Sequence, residues 1–195
     1  MKKDIILAGV GGQGILTIAT IIGMAALSED LQLKQAEVHG MSQRGGDVQS
    51  HLRISSDPIA SDLIPEGGAD LIISVEPMEA LRYFNMLNKK SGWLISSINP
   101  FKNIKDYPEL EDILKEIWKL PRYVTLDADK MAREQGSIRA ANIVVLGAAS
   151  PYLGLKESSL KEAIKTLFGK KGQDLIDLNL KAFDAGKEFS LNSNS

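Results

Sequence analysis

Hydrophobic positions along this chain fall into short unbroken runs, alternating stretches and helically spaced stripes, and their order predicts strands interleaved with helices. Residues 4–8 hold Asp4 and then Ile5, Ile6, Leu7 and Ala8 without alternation, the pattern of a strand buried on both faces. A glycine-rich turn over 9–14 follows. Residues 14–28, rich in Ile, Ala and Leu, predict a helix buried on most sides. Strand, glycine turn and helix make the first half of a βαβ unit. Residues 34–38 form a weaker strand. From 48 to 54 the chain alternates, with Val48, Ser50, Leu52 and Ile54 on one side and Gln49, His51 and Arg53 on the other. That period of two predicts a strand with one face in water.

Further strands are expected over 70–75, 93–98 and 123–126. Pro77 suits the first turn of a helix that carries Met78, Leu81, Arg82 and Met86 at helical spacing. Residues 106–119 predict a helix with Leu110, Ile113, Leu114 and Ile117 on one face, and 129–135 a short one closed by Gly136. From Ala140 the pattern is helical almost to the end, punctuated by Pro151 and Gly154, with segments at 160–168 and 174–188. The polar residues 190–195 are expected to form a flexible tail. There is no internal repeat and no linker. The expectation is a single α/β domain over 1–189, Rossmann-like and three-layered, with a mostly parallel sheet and a helical C-terminal part.

Composition narrows the function classes. With 195 residues, 44% of them hydrophobic, the chain can bury a core without disulfides or metal. Net charge is −2, and no long basic run marks a nucleic-acid surface. The pairs Lys89-Lys90 and Lys170-Lys171 read as solvated helix ends. The longest apolar stretch, 15–27, is broken by Thr17, Thr20 and Gly23 and is too short for a bilayer. The N-terminus lacks the pattern of a secretory signal, so the expected location is cytoplasmic, with no membrane partner. Cysteine is absent, which rules out thiolate-held iron–sulfur clusters, Cys zinc sites, a Cys nucleophile and disulfides on this chain.

Two segments carry candidate chemistry. Gly9-x-Gly11-x-x-Gly14 has the spacing of a dinucleotide turn between strand and helix. Glycine there permits close approach of the backbone to an anion, and the helix start offers free N–H groups and a positive dipole end. Gly12 opens the loop further and Gln13 adds a side-chain donor. A standard NAD site also needs an acid at the end of the second strand, and Glu37 is the nearest. Three readings stand: a phosphate or carboxylate pocket, tight packing of strand on helix, or NAD binding. The second segment, Ser42-Gln43-Arg44-Gly45-Gly46, suits a carboxylate or phosphate through the arginine fork and glycine N–H groups, and suits a subunit contact equally. His39 and His51 match no metal spacing, and Ser42, His51 and Asp47 lack the nucleophile elbow of a triad. Glu76 and Glu79 read as an acid–base pair or as helix-start carboxylates, Arg139 and Asn142 as residues facing a cleft or interface, and Trp93 and Trp118 as core.

The motifs in order resemble the gamma-type domain of the 2-oxoacid:ferredoxin oxidoreductases. Gly9-Val-Gly-Gly-Gln-Gly-Ile-Leu-Thr17 resembles its opening, Glu37-Val-His-Gly-Met-Ser-Gln-Arg-Gly-Gly46 with Ser50-His-Leu-Arg-Ile54 its second signature, and Ala69 to Pro77 with Glu79-Ala-Leu-Arg82 its third. Ala140 to Gly147 and Asn179 to Gly186 are similar to its C-terminal half. The resemblance implies a small subunit without catalytic residues of its own, nearest to the branch that handles aryl 2-oxoacids. It implies a large partner subunit carrying thiamine diphosphate and the iron–sulfur clusters, with ferredoxin served by the complex. Coenzyme A-dependent oxidative decarboxylation is the implied reaction. Gly9, Gly11, Gly12, Gln13, Gly14, Ser42, Gln43, Arg44, Gly45 and Gly46 are the residues it places toward cofactor or partner. A stand-alone NAD-linked reductase and a non-catalytic interaction module are the alternatives.

Overall fold

The computed structural model describes residues 1–39, 45–102 and 104–193, the side chain of His39 excepted. Six strands form one sheet: β1 (Lys2–Val10), β2 (Gln32–His39), β3 (Asp47–Ser55), β4 (Leu71–Ser74), β5 (Trp93–Ser97) and β6 (Tyr123–Leu126). Their spatial order is β2-β3-β1-β4-β5-β6. β1, β4, β5 and β6 are parallel neighbours, whereas β3 runs antiparallel to both β1 and β2. Five strands therefore point one way and β3 alone is reversed, which makes the sheet mostly parallel.

Helices α1 (Ile15–Ser28), α4 (Ala128–Glu134), α5 (Ala141–Leu153), α6 (Glu157–Phe168) and α7 (Gln173–Ser193) complete the larger core with Ile5, Leu7, Leu52, Ile73 and Ile95 of the sheet. Helices α2 (Pro77–Arg82) and α3 (Leu110–Ile117) cover the other face, over Ile6, Ala8, Ile72 and Leu94. The three layers follow from apolar side chains on both faces of the central strands, which must be covered twice.

Several elements differ from the sequence expectation for local reasons. The first half of the βαβ unit is present, but β2 does not lie beside β1, because β3 turns back from β2 and inserts between them. Helix α3 starts at Leu110, later than residue 106, since Pro108 keeps Tyr107 out of helical angles. Helix α7 continues to Ser193, past the point where a tail was expected, and Ser190 is fully buried 3.1 Å from the Tyr152 hydroxyl. Trp93 stacks on Tyr152, but Trp118 is exposed and is not a core residue.

The polar face of β3 is not in water. Arg53 donates to Asp4 through Nε at 2.7 Å and Nη2 at 3.0 Å, and through Nη1 to the carbonyls of Ser61 and Leu63 at 2.9 Å each. The backbone N–H of Ile64 donates to His51 Nδ1 at 3.0 Å, while the Gln49 carboxamide lies 2.7 Å from Nε2. The chain after β3 is thus held across the strand, and His51 is buried by it.

Helices α5 and α7 lie side by side in the same direction. Asn142 and Leu175, near their starts, line one cavity, while Tyr152 and Ser190 meet at their far ends. Between these points the backbones touch. A Cβ on Gly147 would lie 2.0 Å from the Phe183 carbonyl oxygen, and one on Gly186 would lie 1.9 Å from that of Val144.

Gly147→Ala or Gly186→Ala should therefore lower stability by about 1–3 kcal/mol through overpacking, read as a lower urea midpoint; an unchanged midpoint would contradict this packing. His51 gives a pH prediction. Burial, with a smaller contribution from Arg53, holds its pKa below the ordinary 6.5, against the opposing charge of Asp62. The unfolded chain takes up the proton first as pH falls, so stability should be full above about 6.5 and decline on acidification. His51→Gln should flatten that decline between about pH 7 and 5; an identical slope in both proteins would refute it.

Candidate functional site

The glycine turn leaves the end of β1 and enters α1 with little room for side chains. A Cβ on Gly9 would stand 2.5 Å from Val75 Cγ2 at the end of β4. Gly14, the residue before α1, has φ +83, and its Cβ would lie 2.4 Å from Asn142 Nδ2. That amide donates to the Gly14 carbonyl at 3.1 Å, tying the start of α5 to the turn across 128 residues of sequence. On the other side Gly11 N–H donates to the Gly46 carbonyl at 2.8 Å. Gly45 N–H reaches the Gly11 carbonyl at 3.5 Å. The two glycine segments singled out in the sequence are therefore joined. Ser42, Gln43 and Arg44 lie outside the described residues.

Gln13 takes a different part from the one expected. Its Oε1 accepts the Val10 N–H at 2.8 Å and braces the turn from inside. Gly12 is open, with φ +100 and nothing within 4 Å of a hypothetical Cβ. No side chain caps α1, and the N–H groups of Ile15 and Leu16 have no acceptor among the described residues.

The turn opens onto a cavity of about 800 Å³ at the C-terminal ends of the parallel strands. Gly12, Gln13, Gly14 and Thr17 line it from α1, Val75, Ser97 and Asn99 from the strand ends, and Arg139 to Asn142 from the start of α5. Phe168 and Lys171 from the end of α6, with Leu175 and Asn179 of α7, complete it. The starts of α1, α5 and α7 all reach this space, so three positive dipole ends converge there. A ligand crevice is expected at this edge of an open α/β sheet. A second cavity, of about 400 Å³, lies on the other side of the turn, between Gly11, Gly12, Leu16, Glu37 and Val48.

Side chains around the cavity are held by polar contacts. Asn99 accepts from Ser97 Oγ at 2.7 Å and from Asp129 N–H at 3.0 Å, and donates to Asp127 at 2.8 Å. This joins the end of β5 to the start of α4. Glu76, fully buried, caps α2 by accepting the Glu79 N–H at 2.8 Å. Its other oxygen accepts from Phe101 N–H at 3.2 Å and from the Tyr107 hydroxyl. Glu76 thereby fixes the Pro100-Phe101 segment that borders the cavity. Glu79 is paired with Arg82 through Nε at 2.8 Å. Burial raises the Glu79 pKa, and Arg82 opposes the rise. The two glutamates are structural partners, and neither faces the cavity.

Arg139 and Asn142 face the cleft, as the sequence suggested. No motif along the chain signals that Lys171, Asn179 and Asn99 meet there, since they come from separate elements. Glu37 sits on β2, two strand spacings or about 10 Å from β1, because β3 intervenes. The neighbouring-strand position of the acid in a standard NAD site is therefore not reproduced. Among the described residues no three His, Asp or Glu side chains group as metal ligands do, and no helix is long and apolar enough to cross a membrane.

An α/β domain with a glycine-lined crevice at the C-terminal strand ends, and no thiol to hold a redox cluster, is the class these features define. Comparison with known proteins makes it specific. Residues 4–189 match the family model of pyruvate ferredoxin/flavodoxin oxidoreductase. The chain is 41% identical over 194 residues to indolepyruvate oxidoreductase subunit IorB of Archaeoglobus fulgidus, covering 95% of this chain and 94% of that one. Its fold matches the gamma subunit of a keto/oxoacid ferredoxin oxidoreductase from Geobacter sulfurreducens, with TM-score 0.70, 24% identity and coverage of 97% and 99%. It also matches part of the 2-oxoglutarate:ferredoxin oxidoreductase of Magnetococcus marinus, a structure with 2-oxoglutarate, coenzyme A and succinyl-CoA bound. There the TM-score is 0.75 at 23% identity, over 98% of this chain and 31% of that one. The chain belongs to the pyruvate ferredoxin/flavodoxin oxidoreductase family, as a subunit of a 2-oxoacid:ferredoxin oxidoreductase.

Gly14→Ala carries both a left-handed backbone and a clash with Asn142, whereas Gly12→Ala carries only the backbone cost of about 1–2 kcal/mol. Thermal or urea unfolding should therefore rank Gly14→Ala as the more damaging. Equal losses would show that the Asn142 contact does not constrain the turn.

Proposed function

We propose that this chain is the small subunit of an oxidoreductase for aryl 2-oxoacids, with indolepyruvate as the principal substrate, and that its large cavity receives coenzyme A. The end-to-end identity with the Archaeoglobus subunit carries the substrate assignment. A partner subunit supplies thiamine diphosphate and iron–sulfur clusters. This chain has no cysteine, so its residues do not fit a thiolate-held cluster. Electrons leave through the complex to ferredoxin, in the cytoplasm.

The residues present do fit an anionic ligand of the size of coenzyme A. Gly12 leaves the backbone open toward the large cavity, the starts of α1, α5 and α7 favour negative charge there, and Gly11, Ile15 and Leu16 border the second cavity on the other side of the turn. Gly9 and Gln13 support the turn from below. Gly45 and Gly46, tied to Gly11, form an edge that faces ligand or partner, and Ser42, Gln43 and Arg44 precede them in the sequence. Bound coenzyme A supplies the thiol that accepts the acyl group. The part of this chain is to hold the nucleotide end, orient the thiol-bearing arm toward the partner subunit and exclude water from the cleft.

The test is the complex assembled from both subunits. It should reduce ferredoxin with indolepyruvate and coenzyme A, with kcat/KM for indolepyruvate above those for pyruvate and 2-oxoglutarate. A preference for either of the latter would overturn the substrate assignment. Gly12→Asp sets a carboxylate at a position open in space, at a backbone cost like that of Gly12→Ala. It should raise the KM for coenzyme A by roughly tenfold or more through repulsion and leave the KM for the 2-oxoacid unchanged. An unchanged KM for coenzyme A would exclude the turn from its site.

A further inference from the structure

The sheet ends at β6 with hydrogen-bonding groups left over. β6 is the last strand in the order and pairs only with β5. Leu94 N–H donates to the Arg122 carbonyl and Ile98 N–H to that of Leu126. The even-numbered residues here therefore turn their backbone groups toward β5. Alternation along the strand turns the N–H and C=O of Tyr123 and Thr125 outward. Those groups have no partner among the described residues.

A slot of about 430 Å³ follows this edge from Pro121 to Thr125. Trp118, just past the end of α3, walls it from one layer, and Trp93 with Ser193 of α7 from the other. The Trp118 indole N–H donates to Thr125 Oγ1 at 3.3 Å, yet the residue is 47% exposed. A sheet edge with bare N–H and C=O groups is a template for a further strand, which adds by main-chain hydrogen bonds. An accessible tryptophan beside it is the kind of side chain that anchors a partner.

Charge selects the occupant. Arg122 lines the slot and donates through Nη1 to the Lys90 carbonyl, which leaves Nε and Nη2 without a partner among the described residues. Lys89 and Lys90, in the turn that Arg122 holds, are exposed and make no ion pair among those residues. The ends of α3 and α7 offset part of this charge, at about half a unit each. Three cations against two such ends leave the edge positive. A second copy of this chain would bring the same three cations to the same place and be repelled. A carboxylate facing the Arg122 fork would be held. We propose that the open edge of β6 receives an extended acidic segment of the large subunit as a seventh strand, with Trp118 as its apolar anchor. This rests on the reading that the chain works with a large partner subunit, and it places the contact well away from the coenzyme A cavity.

The test titrates the full-length small subunit with the large subunit at several salt concentrations. Thr125→Pro removes an outward N–H that β5 does not use, at an edge position where proline is tolerated. It should raise Kd by about tenfold or more. Arg122→Gln should also weaken binding and flatten its dependence on salt. Hydrogen exchange reads the edge without mutation: the Tyr123 and Thr125 amides should exchange fast in the free subunit and slowly in the complex. An unchanged Kd for Thr125→Pro, or exchange at these two amides that is as fast in the complex as outside it, overturns the edge and leaves the partner reading standing. Protection of both amides in the small subunit alone, growing with its concentration, assigns the edge to a second copy and overturns the proposal. Wild-type chain that does not bind the large subunit at all overturns both.

Discussion

Everything at the functional edge depends on how closely the chain packs where β1 passes into α1. Val75 fills the space above Gly9, Asn142 fills the space beside Gly14, and Gly46 accepts from Gly11. The turn is thereby held by the end of β4, the start of α5 and the base of the loop before β3. Held in this way it keeps a left-handed backbone at Gly12 and Gly14 and leaves the first N–H groups of α1 bare. The same packing that makes the turn rigid leaves those groups without an acceptor among the described residues, the condition for binding an anion at a helix start.

The helical layer extends the effect. The touching backbones of α5 and α7 at Gly147 and Gly186 set the two helices side by side with their starts at the cavity. Three helix starts and the side chains of Arg139 and Lys171 then face one space, while Asp129 supplies a carboxylate on the same lining. Burial raises the pKa of Asp129, and Arg133 opposes the rise. On the proposed function such a domain contributes shape and electrostatics while the redox groups reside on the partner subunit, and a chain without cysteine holds no thiolate-bound cluster itself.

Much of this was legible along the chain. The unbroken apolar runs at Ile5–Ala8 and Leu71–Ser74 marked the central strands, because a strand covered on both faces has no reason to alternate. The glycine turn was legible because its spacing is a backbone requirement. The order of strands was not, since the reversal of β3 depends on its pairing with β1 over nine residues and leaves no local signature. Nor was the burial of His51 and Arg53, which alternation alone would put in water; the covering segment is distant in pattern but adjacent in space. Ser190 reads as a polar tail residue until the Tyr152 hydroxyl is seen beside it. Arg139, Lys171 and Asn179 come from three separate elements, and only the parallel course of α5 and α7 brings them together. Small residues at 147 and 186 within helical stretches were the available hint of that course.

The central claim is that the convergent helix starts form an anion receptor for coenzyme A. Hydrogen exchange of the assembled complex, with and without coenzyme A, addresses it at the level of single segments. The account predicts slowed exchange confined to Gly12–Thr17 and to the start of α5 around Ala141–Val145, with the β6 edge near Trp118 unaffected. Protection at that edge, or exchange at the α1 start that is indifferent to the ligand, would contradict it.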